Sequence, residues 1–370
     1  MALSPLNQRR WRNFTANRRA YWSLILMGIL YGLSLCAELL ANDRPLLVKY
    51  QDSYYTPFLS FYSEKAFGGE LRTEAKYEFP EVKCLIASGG LESCLDDPEG
   101  VLQAIHDGAY TDGVDGYQKG WIIWAPIPYS YTTIVDTGGV APGPITAQNW
   151  LGTDRSSRDV AARVIYGFRL SVSFALVVTV LTSIIGVAAG AVQGYFGGLV
   201  DLVMQRVIEI WASVPSLYVI IILSAVYMPS ITLMIFLMVL FGWTSLIGVV
   251  RAEFLRARNF EYVRAAKALG VSNARIIVRH VLPNAMVATL TMLPFIITGT
   301  IGTLAMLDYL GYGLPASAPS LGQLSRQAQE NLQMPSLAIV SFFTFAIMLT
   351  LLVFVFEGVR DAFDPRKTFR

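Results

Sequence analysis

The sequence predicts an all-α polytopic membrane protein with six transmembrane helices and an extramembrane insert of mixed short strands and loops between the first two. Three observations carry that prediction. Of 370 residues, 54% are hydrophobic and 15% charged, with a mean hydropathy of +0.47, more apolar surface than an ordinary soluble domain can bury. Several apolar runs reach the roughly 20 residues that a hydrocarbon core about 30 Å thick requires at about 1.5 Å per residue. Basic residues also collect on alternate connectors.

The apolar runs place spans at residues 21–41, 170–192, about 207–227, 231–250, about 285–307 and 337–356. Pro215 and Pro294 interrupt the pattern where neighbouring helices can re-satisfy the backbone. The first run is about 20 residues long and is followed by Glu38 and Asn42 rather than by a small-residue cleavage site, so it reads as an uncleaved anchor. Arg9, Arg10, Arg12, Arg18 and Arg19 precede it, whereas the connectors 228–230 and 308–336 carry little positive charge. The positive-inside rule then puts the N-terminus in the cytoplasm. Six crossings return the C-terminus there with Arg360, Arg366, Lys367 and Arg370, together with the fourth-to-fifth loop and its Arg251, Arg256, Arg258, Arg264, Lys267, Arg275 and Arg279. A net charge of +2 gives no argument for nucleic acid.

Residues 42–169 form a polar segment, rich in Tyr50, Tyr54, Tyr55, Phe58, Phe61 and Tyr62 and in Glu92, Asp96, Asp97 and Glu99. It belongs outside the membrane, and its frequent Gly and Pro, with the apolar run 121–126, predict short strands and loops rather than long helices. Cys84 and Cys94 lie in it with nine residues between them, while Cys36 is assigned to the buried side of the first span. In an oxidising compartment the pair can close a short loop; two reduced, unrelated cysteines are the alternative, because spacing does not establish geometry.

The basic loop 251–283 is the most informative stretch. Residues 260–269 have helical spacing, with Tyr262, Ala265, Ala266 and Leu269 on or near one face and Glu261, Arg264 and Lys267 toward the other. Gly270 is a natural left-handed stop, Ser272 a candidate cap for a second helix with Ile276, Ile277 and Val281, and Pro283 the residue that ends or kinks it before the fifth span. The small Ala265 and Ala266 leave a surface that a partner groove can approach closely. The competing reading is an amphipathic helix lying on anionic lipid.

Chemistry of its own is not legible. There is no G-x-x-x-x-G-K-[ST] phosphate loop and no Gly-Lys dipeptide. The only histidines, His106 and His280, stand apart, so no metal site or Ser-His-Asp arrangement is predicted. Among ionisable residues near the spans, Glu38 and Glu357 fall at span ends and Glu209 can pair with Arg206. Asp308, at the outer end of the fifth span, is the candidate for contact with substrate or a binding protein. Thr291, Thr298, Thr300 and Thr303 recur on that span, where helix packing competes with lining a path.

These residues resemble a family: the permease subunits of binding-protein-dependent peptide ABC importers, whose cytoplasmic signature is Glu-Ala-Ala, three residues, Gly, nine residues, Ile-x-Leu-Pro. Here it stands as Arg264-Ala265-Ala266, Gly270 and His280-Val281-Leu282-Pro283, with Arg264 and His280 departing from the consensus as in the oligopeptide and dipeptide branch. The runs 149–154, Arg158-Asp159-Val160, Arg163, Tyr166-Gly167, Arg169, 194–198, Asp201, Glu209, Pro215, 309–313 and 360–365 look like the same branch, so the resemblance spans 149–365. Residues 18–24, 35–39 and 41–47, and Asp308 before Tyr309, are similar to the subgroup serving microcin C and oligopeptides. The stretch around Cys84 and Cys94 has no counterpart in that pattern.

The resemblance implies a type I ABC importer permease fold in the bacterial inner membrane. Its parts would be a cytoplasmic segment 1–20, an anchor 21–41, a periplasmic insert 42–148, a core 149–365 with coupling loop 251–283, and a tail 366–370. It implies coupling to ATPases through Glu261, Tyr262, Arg264, Ala265, Ala266, Lys267, Leu269, Gly270, His280, Leu282 and Pro283, with Asp308, Thr298 and Thr303 along the substrate path. A homologous second permease, ATP-binding subunits with two nucleotide-binding domains, a periplasmic peptide-binding protein, peptide and membrane lipid are the implied partners. The chain itself would bind no cofactor, and ATP and Mg would be used by the ATPases. Rival classes make different demands. A secondary transporter calls for inverted repeats and mid-span charges, and a membrane-anchored binding module has no use for the loop.

Overall fold

The computed structural model describes residues 5–114 and 116–363; Arg366, Lys367, Arg370 and the predicted tail lie outside them. The described residues group into two compact units, one of residues 33–166 and the other of the remainder.

In the larger unit four helices are long and apolar enough to cross a membrane: Val160–Phe196, Ile231–Ala257, Asn273–Leu310 and Pro335–Phe363. A fifth apolar stretch is bent. Gly198–Ala212 and Ser216–Val226 meet at 61°, so the third predicted span is not one straight helix and begins earlier than residue 207. Pro215 explains the bend, since it has no amide hydrogen to donate and disfavours helical geometry at the residue before it. The first predicted span falls on the 18-residue helix Arg18–Leu35, which includes Arg18 and Arg19, is followed by a turn at Cys36 and the single turn Ala37–Leu40, and is not among the helices long and apolar enough to cross a membrane. Cys36 is exposed at that turn rather than buried. A preceding helix, Pro5–Ala16, packs through Phe14 against Val359, Ala362 and Phe363 of the last helix, with the Arg10 guanidinium 4.1 Å from the Phe363 ring centroid.

Helix packing in this unit rests on missing side chains. Gly186, Gly190 and Gly194 recur every four residues on the Val160–Phe196 helix, all on one face. A Cβ at each would stand 2.5 Å from the Trp243 carbonyl oxygen, 2.8 Å from the Val250 Cβ and 2.5 Å from the Arg251 carbonyl oxygen, respectively. Small residues at four-residue spacing let two backbones approach closely where lipid offers no hydrophobic drive to associate. At the cytoplasm-proximal end of this contact by the sequence-predicted topology, Arg251 donates to both carboxylate oxygens of Asp201, from Nε at 2.5 Å and Nη2 at 2.6 Å.

The smaller unit contains strands β1 (Leu47–Tyr50), β2 (Ser53–Tyr55) and β3 (Trp121–Ile123), in the order β2-β1-β3 with both pairings antiparallel. Val48 faces Tyr55 on one side and Ile122 on the other. The expectation of strands and loops is incomplete here. Helices Pro80–Ser88 and Pro98–His106, each opened by a proline at its first turn, pack against one another. The core is aromatic: Phe67 meets Tyr50, Tyr55 and Tyr77 edge-on at 5.2 to 5.8 Å. Cys84 and Cys94 are bonded, with Cα atoms 5.5 Å apart, and share a second small core with Leu85 and Val101.

The same unit ends in a buried polar knot. Asp154 pairs with Arg158 at 2.9 Å and with Arg163 at 3.1 Å. Asp159 accepts from the Ala162 amide and the Asn149 side-chain amide, both at 2.8 Å, and so caps the helix that begins at Val160. Burial raises the Asp159 carboxyl above its ordinary value despite those two bonds.

Candidate functional site

The loop after the long helix Ile231–Ala257 folds as Glu261–Ala268, a turn at 269–272, and a helix from Asn273 that runs without a break to Leu310. Gly270 adopts φ +73°, and the Val271 amide donates to the Ala266 carbonyl while the Gly270 amide donates to that of Lys267. That pair of bonds is the Schellman closure that favours glycine at this position. Ser272 occupies the next cap, but its hydroxyl makes no capping bond.

Which side of the loop helix is buried differs from the sequence expectation. Val263 (0% exposed) and Ala266 (8%) face inward and pack with Ala191, Tyr195, Phe254, Ile276 and Val281. Tyr262, Ala265 and Leu269 are exposed, Leu269 at 83%. Tyr262, Ala265 and Leu269 sit three and four residues apart and therefore form one outward stripe; Ala266 does not belong to it. The reason is tertiary. An eight-residue helix with apolar residues on two sides is placed by whichever side finds a core, and Val263 lies over the close glycine contact between Val160–Phe196 and Ile231–Ala257.

Polar bonds hold the helix on that core. The Tyr195 hydroxyl donates to the Asn273 Oδ1 at 2.8 Å, and the Lys267 ammonium lies 4.6 Å from the Tyr195 ring centroid. Asn284 donates to the Tyr262 hydroxyl at 3.3 Å and to the His280 carbonyl at 3.2 Å. Glu261 and Arg264 are exposed beside the stripe. His280 is half-buried, and Leu282 packs partly into the inner core.

Pro283 does not end the helix. Residues Ile276–Val281 form a π-helical turn, and Pro283 follows in the first turn of the α-helix Leu282–Leu310, where its ring and missing amide are accommodated by the wider turn upstream. The elements sequence reasoning missed are Val263, Tyr195, Asn273 and the Asp201–Arg251 pair. None of these carries a sequence signal of its own; the Gly186-Gly190-Gly194 spacing beneath them does.

The path candidates lie elsewhere. Asp308 is buried, and its two carboxylate oxygens accept from the Leu314 amide at 2.6 Å and the Ser320 hydroxyl at 2.5 Å. It thus ties the end of the fifth span to the turn that follows. Thr298 and Thr300 donate to the carbonyls of Pro294 and Ile296 four residues back, and Thr291 does the same to Val287, so these hydroxyls are satisfied within their own helix. Thr303 is half-buried on the same helix. Glu209 pairs with Arg206 at 2.5 Å, and Glu357 lies 3.4 Å from Arg360. Among the described residues no group of three His, Cys, Asp or Glu is placed to hold a metal ion.

Comparison with known proteins bears on a site of this kind. The chain is 51% identical to the inner membrane ABC transporter permease protein YejE of Escherichia coli (strain K12), over 99% of this chain and 98% of that protein. It is 47% identical to the peptidoglycan transport system permease protein YejE of Agrobacterium fabrum, over 99% and 95%. The oligopeptide transport system permease protein OppC of Bacillus subtilis is 33% identical over 66% of this chain and 80% of its own length. Residues 183–369, which contain the loop helix, its inner core and the helices on either side, match the model of the binding-protein-dependent transport system inner membrane component, and the chain belongs to that family.

Proposed function

We propose that this chain is one translocation subunit of an ATP-driven peptide importer of the bacterial inner membrane, and that the loop 251–283 is where separate ATPase subunits dock. The observation that carries the reading is the exposed Tyr262, Ala265 and Leu269 stripe on a helix whose other side, Val263 and Ala266, is fixed in the core. An outward apolar stripe flanked by Glu261, Arg264 and Lys267 suits insertion into a groove of an ATPase, with the charges orienting it. The names of the relatives, an oligopeptide and a peptidoglycan transport permease among them, support peptides as cargo; the proposal extends this class to oligopeptides and microcin C-like peptide-nucleotides.

In this reading the chain crosses the membrane six times, counting Arg18–Leu35 and the bent pair, with both termini cytoplasmic and residues 42–148 in the periplasm. It pairs with a homologous permease above two nucleotide-binding domains that use ATP and Mg, and it receives peptide from a periplasmic binding protein. The chain contributes no catalytic residue and binds no cofactor; its part is to convert movement of the loop helix into rearrangement of packed spans.

Purification in mild detergent followed by identification of the co-purifying chains tests this. Two ATPase domains and one second permease are expected. A self-sufficient homodimer that takes up peptide in vesicles under an ion gradient without ATP would overturn it.

A further inference from the structure

The smaller unit holds a hollow of about 900 Å³ between the start of β1 and the approach to the Pro80–Ser88 helix. Its wall carries four carboxylates, Glu38, Asp43, Glu74 and Glu78, against two cations, Arg44 and Lys76. Arg44 is taken by Glu74 at 2.7 Å, and Lys76 sits 5.0 Å from the Phe79 ring centroid. Of the lining carboxylates, Asp43 and Glu78 form no ion pair with either of these cations. Those two sense one another: burial first, and the Asp43 charge second, raise the Glu78 carboxyl above its ordinary value, and the Lys83 charge opposes that rise without cancelling it.

A second observation is independent of the charges. Tyr77, which also lines the hollow, is 3% exposed, and its hydroxyl has no hydrogen-bond partner among the described residues. A buried hydroxyl left unpaired is costly unless something else satisfies it. Phe58, Leu71 and Phe79 add an apolar side. The carboxylates are too spread to gather on one metal ion, which selects an elongated cationic ligand over a point charge.

We infer that this hollow binds the amino-terminal end of a peptide: the ammonium between Asp43 and Glu78, the first carbonyl on the Tyr77 hydroxyl, and the first side chain against Phe58 and Phe79. The inference rests on the reading of the chain as a peptide importer and assigns the insert a substrate subsite of its own. Asp43 keeps its bond from the Thr133 hydroxyl, at 2.9 Å, in the occupied site.

The test uses the purified full-length chain in detergent micelles and titration calorimetry with Leu-Ala-Ala, its N-acetyl derivative, and 1,4-diaminobutane. Leu-Ala-Ala binds, and acetylation weakens it at least tenfold, a result that needs no variant and so does not depend on refolding. Glu78→Gln and Asp43→Asn lose a similar factor, and Tyr77→Phe weakens the peptide but not the diamine. Equal affinity for free and acetylated peptide overturns the site. So does a diamine that binds as tightly as the peptide, which would make the hollow a general polyamine site. Peptide uptake by the reconstituted transporter separates the two layers: uptake with no binding to the isolated chain removes the subsite and leaves the importer standing, whereas absence of both removes both.

Discussion

Leu269→Ala isolates docking from folding. The Leu269 side chain is 83% exposed at the end of the loop helix, so truncating it removes almost nothing that the fold itself buries, and stability should move by less than about 0.5 kcal/mol. In the docked state the same side chain enters the partner's groove. Three carbon groups at about 0.8 kcal/mol each, scaled to the exposed fraction, give about 2 kcal/mol, or about 30-fold in affinity. The assay is titration of purified ATPase subunit against permease in nanodiscs, with thermal unfolding followed in parallel. Ala266→Asp is the control, because it places a carboxylate inside the core with Val263, Tyr195 and Ile276 and should cost several kcal/mol of stability before any partner is added. A Leu269→Ala change below about threefold, or an Ala266→Asp protein as stable as the parent, refutes the assignment of the two faces.

Four further outcomes follow from particular contacts. Gly194→Val brings a Cβ to 2.5 Å from the Arg251 carbonyl oxygen and 2.6 Å from the Phe254 Cβ, so overpacking of about 1–3 kcal/mol should lower the thermal midpoint of the purified chain. Cys84→Ser releases a loop whose ends are ten residues apart and should cost about 3 kcal/mol in denaturant unfolding of the smaller unit; mass mapping that finds both thiols free in the parent protein would remove the basis for it. Asp308→Asn weakens the bonds from Leu314 and Ser320, about 1.5–3 kcal/mol for bonds to a charged group, and should lower stability while leaving peptide selectivity unchanged. Because the Glu78 carboxyl is raised above 4.5, the fold favours its neutral form. Its stabilising contribution is complete below that value and is lost as pH rises through the raised range, and Glu78→Gln should flatten this part of the unfolding profile.

Much of the loop was legible because its punctuation is local chemistry. Gly270 could be assigned as a left-handed stop from its residue type and place after a periodic run, and the structure puts it at φ +73°. The inward face was not legible, because Tyr262 and Leu269 are as apolar as Val263. Only the core contributed by Tyr195, Phe254 and Ile276, up to 68 residues from Val263 in sequence, decides between them. Pro283 misled for a related reason. Proline reads as a breaker, yet a π-turn just before it, set by packing of Ile276 and Val281, removes the clash that would have broken the helix. The three glycines of the Val160–Phe196 helix were readable from spacing alone, since residues four apart share a face. The insert was the least legible, because its hollow is assembled from residues 38 to 132 and no short motif records it.

The absence of a break at Pro283 changes what the loop can transmit. Had the helix ended there, a load applied to Leu269 would have been absorbed at a hinge before reaching the fifth span. Instead the chain passes from the Gly270 turn into one helix that continues to Leu310, and the carboxylate of Asp308, two residues before that end, is bonded to the amide of Leu314 and the hydroxyl of Ser320. Displacement at the loop therefore reaches the far end of the span as a movement of the whole rod. The π-turn at Ile276–Val281 and the interior Pro294 are the two places along it where bending would concentrate. Two further ties keep the rod from moving alone: Tyr195 to Asn273 and Asn284 to Tyr262 join its N-terminal part to the Val160–Phe196 helix and to the loop helix. A partner that shifts the loop helix must carry these elements together, and the glycine contacts of Val160–Phe196 with Ile231–Ala257 draw that helix into the same group.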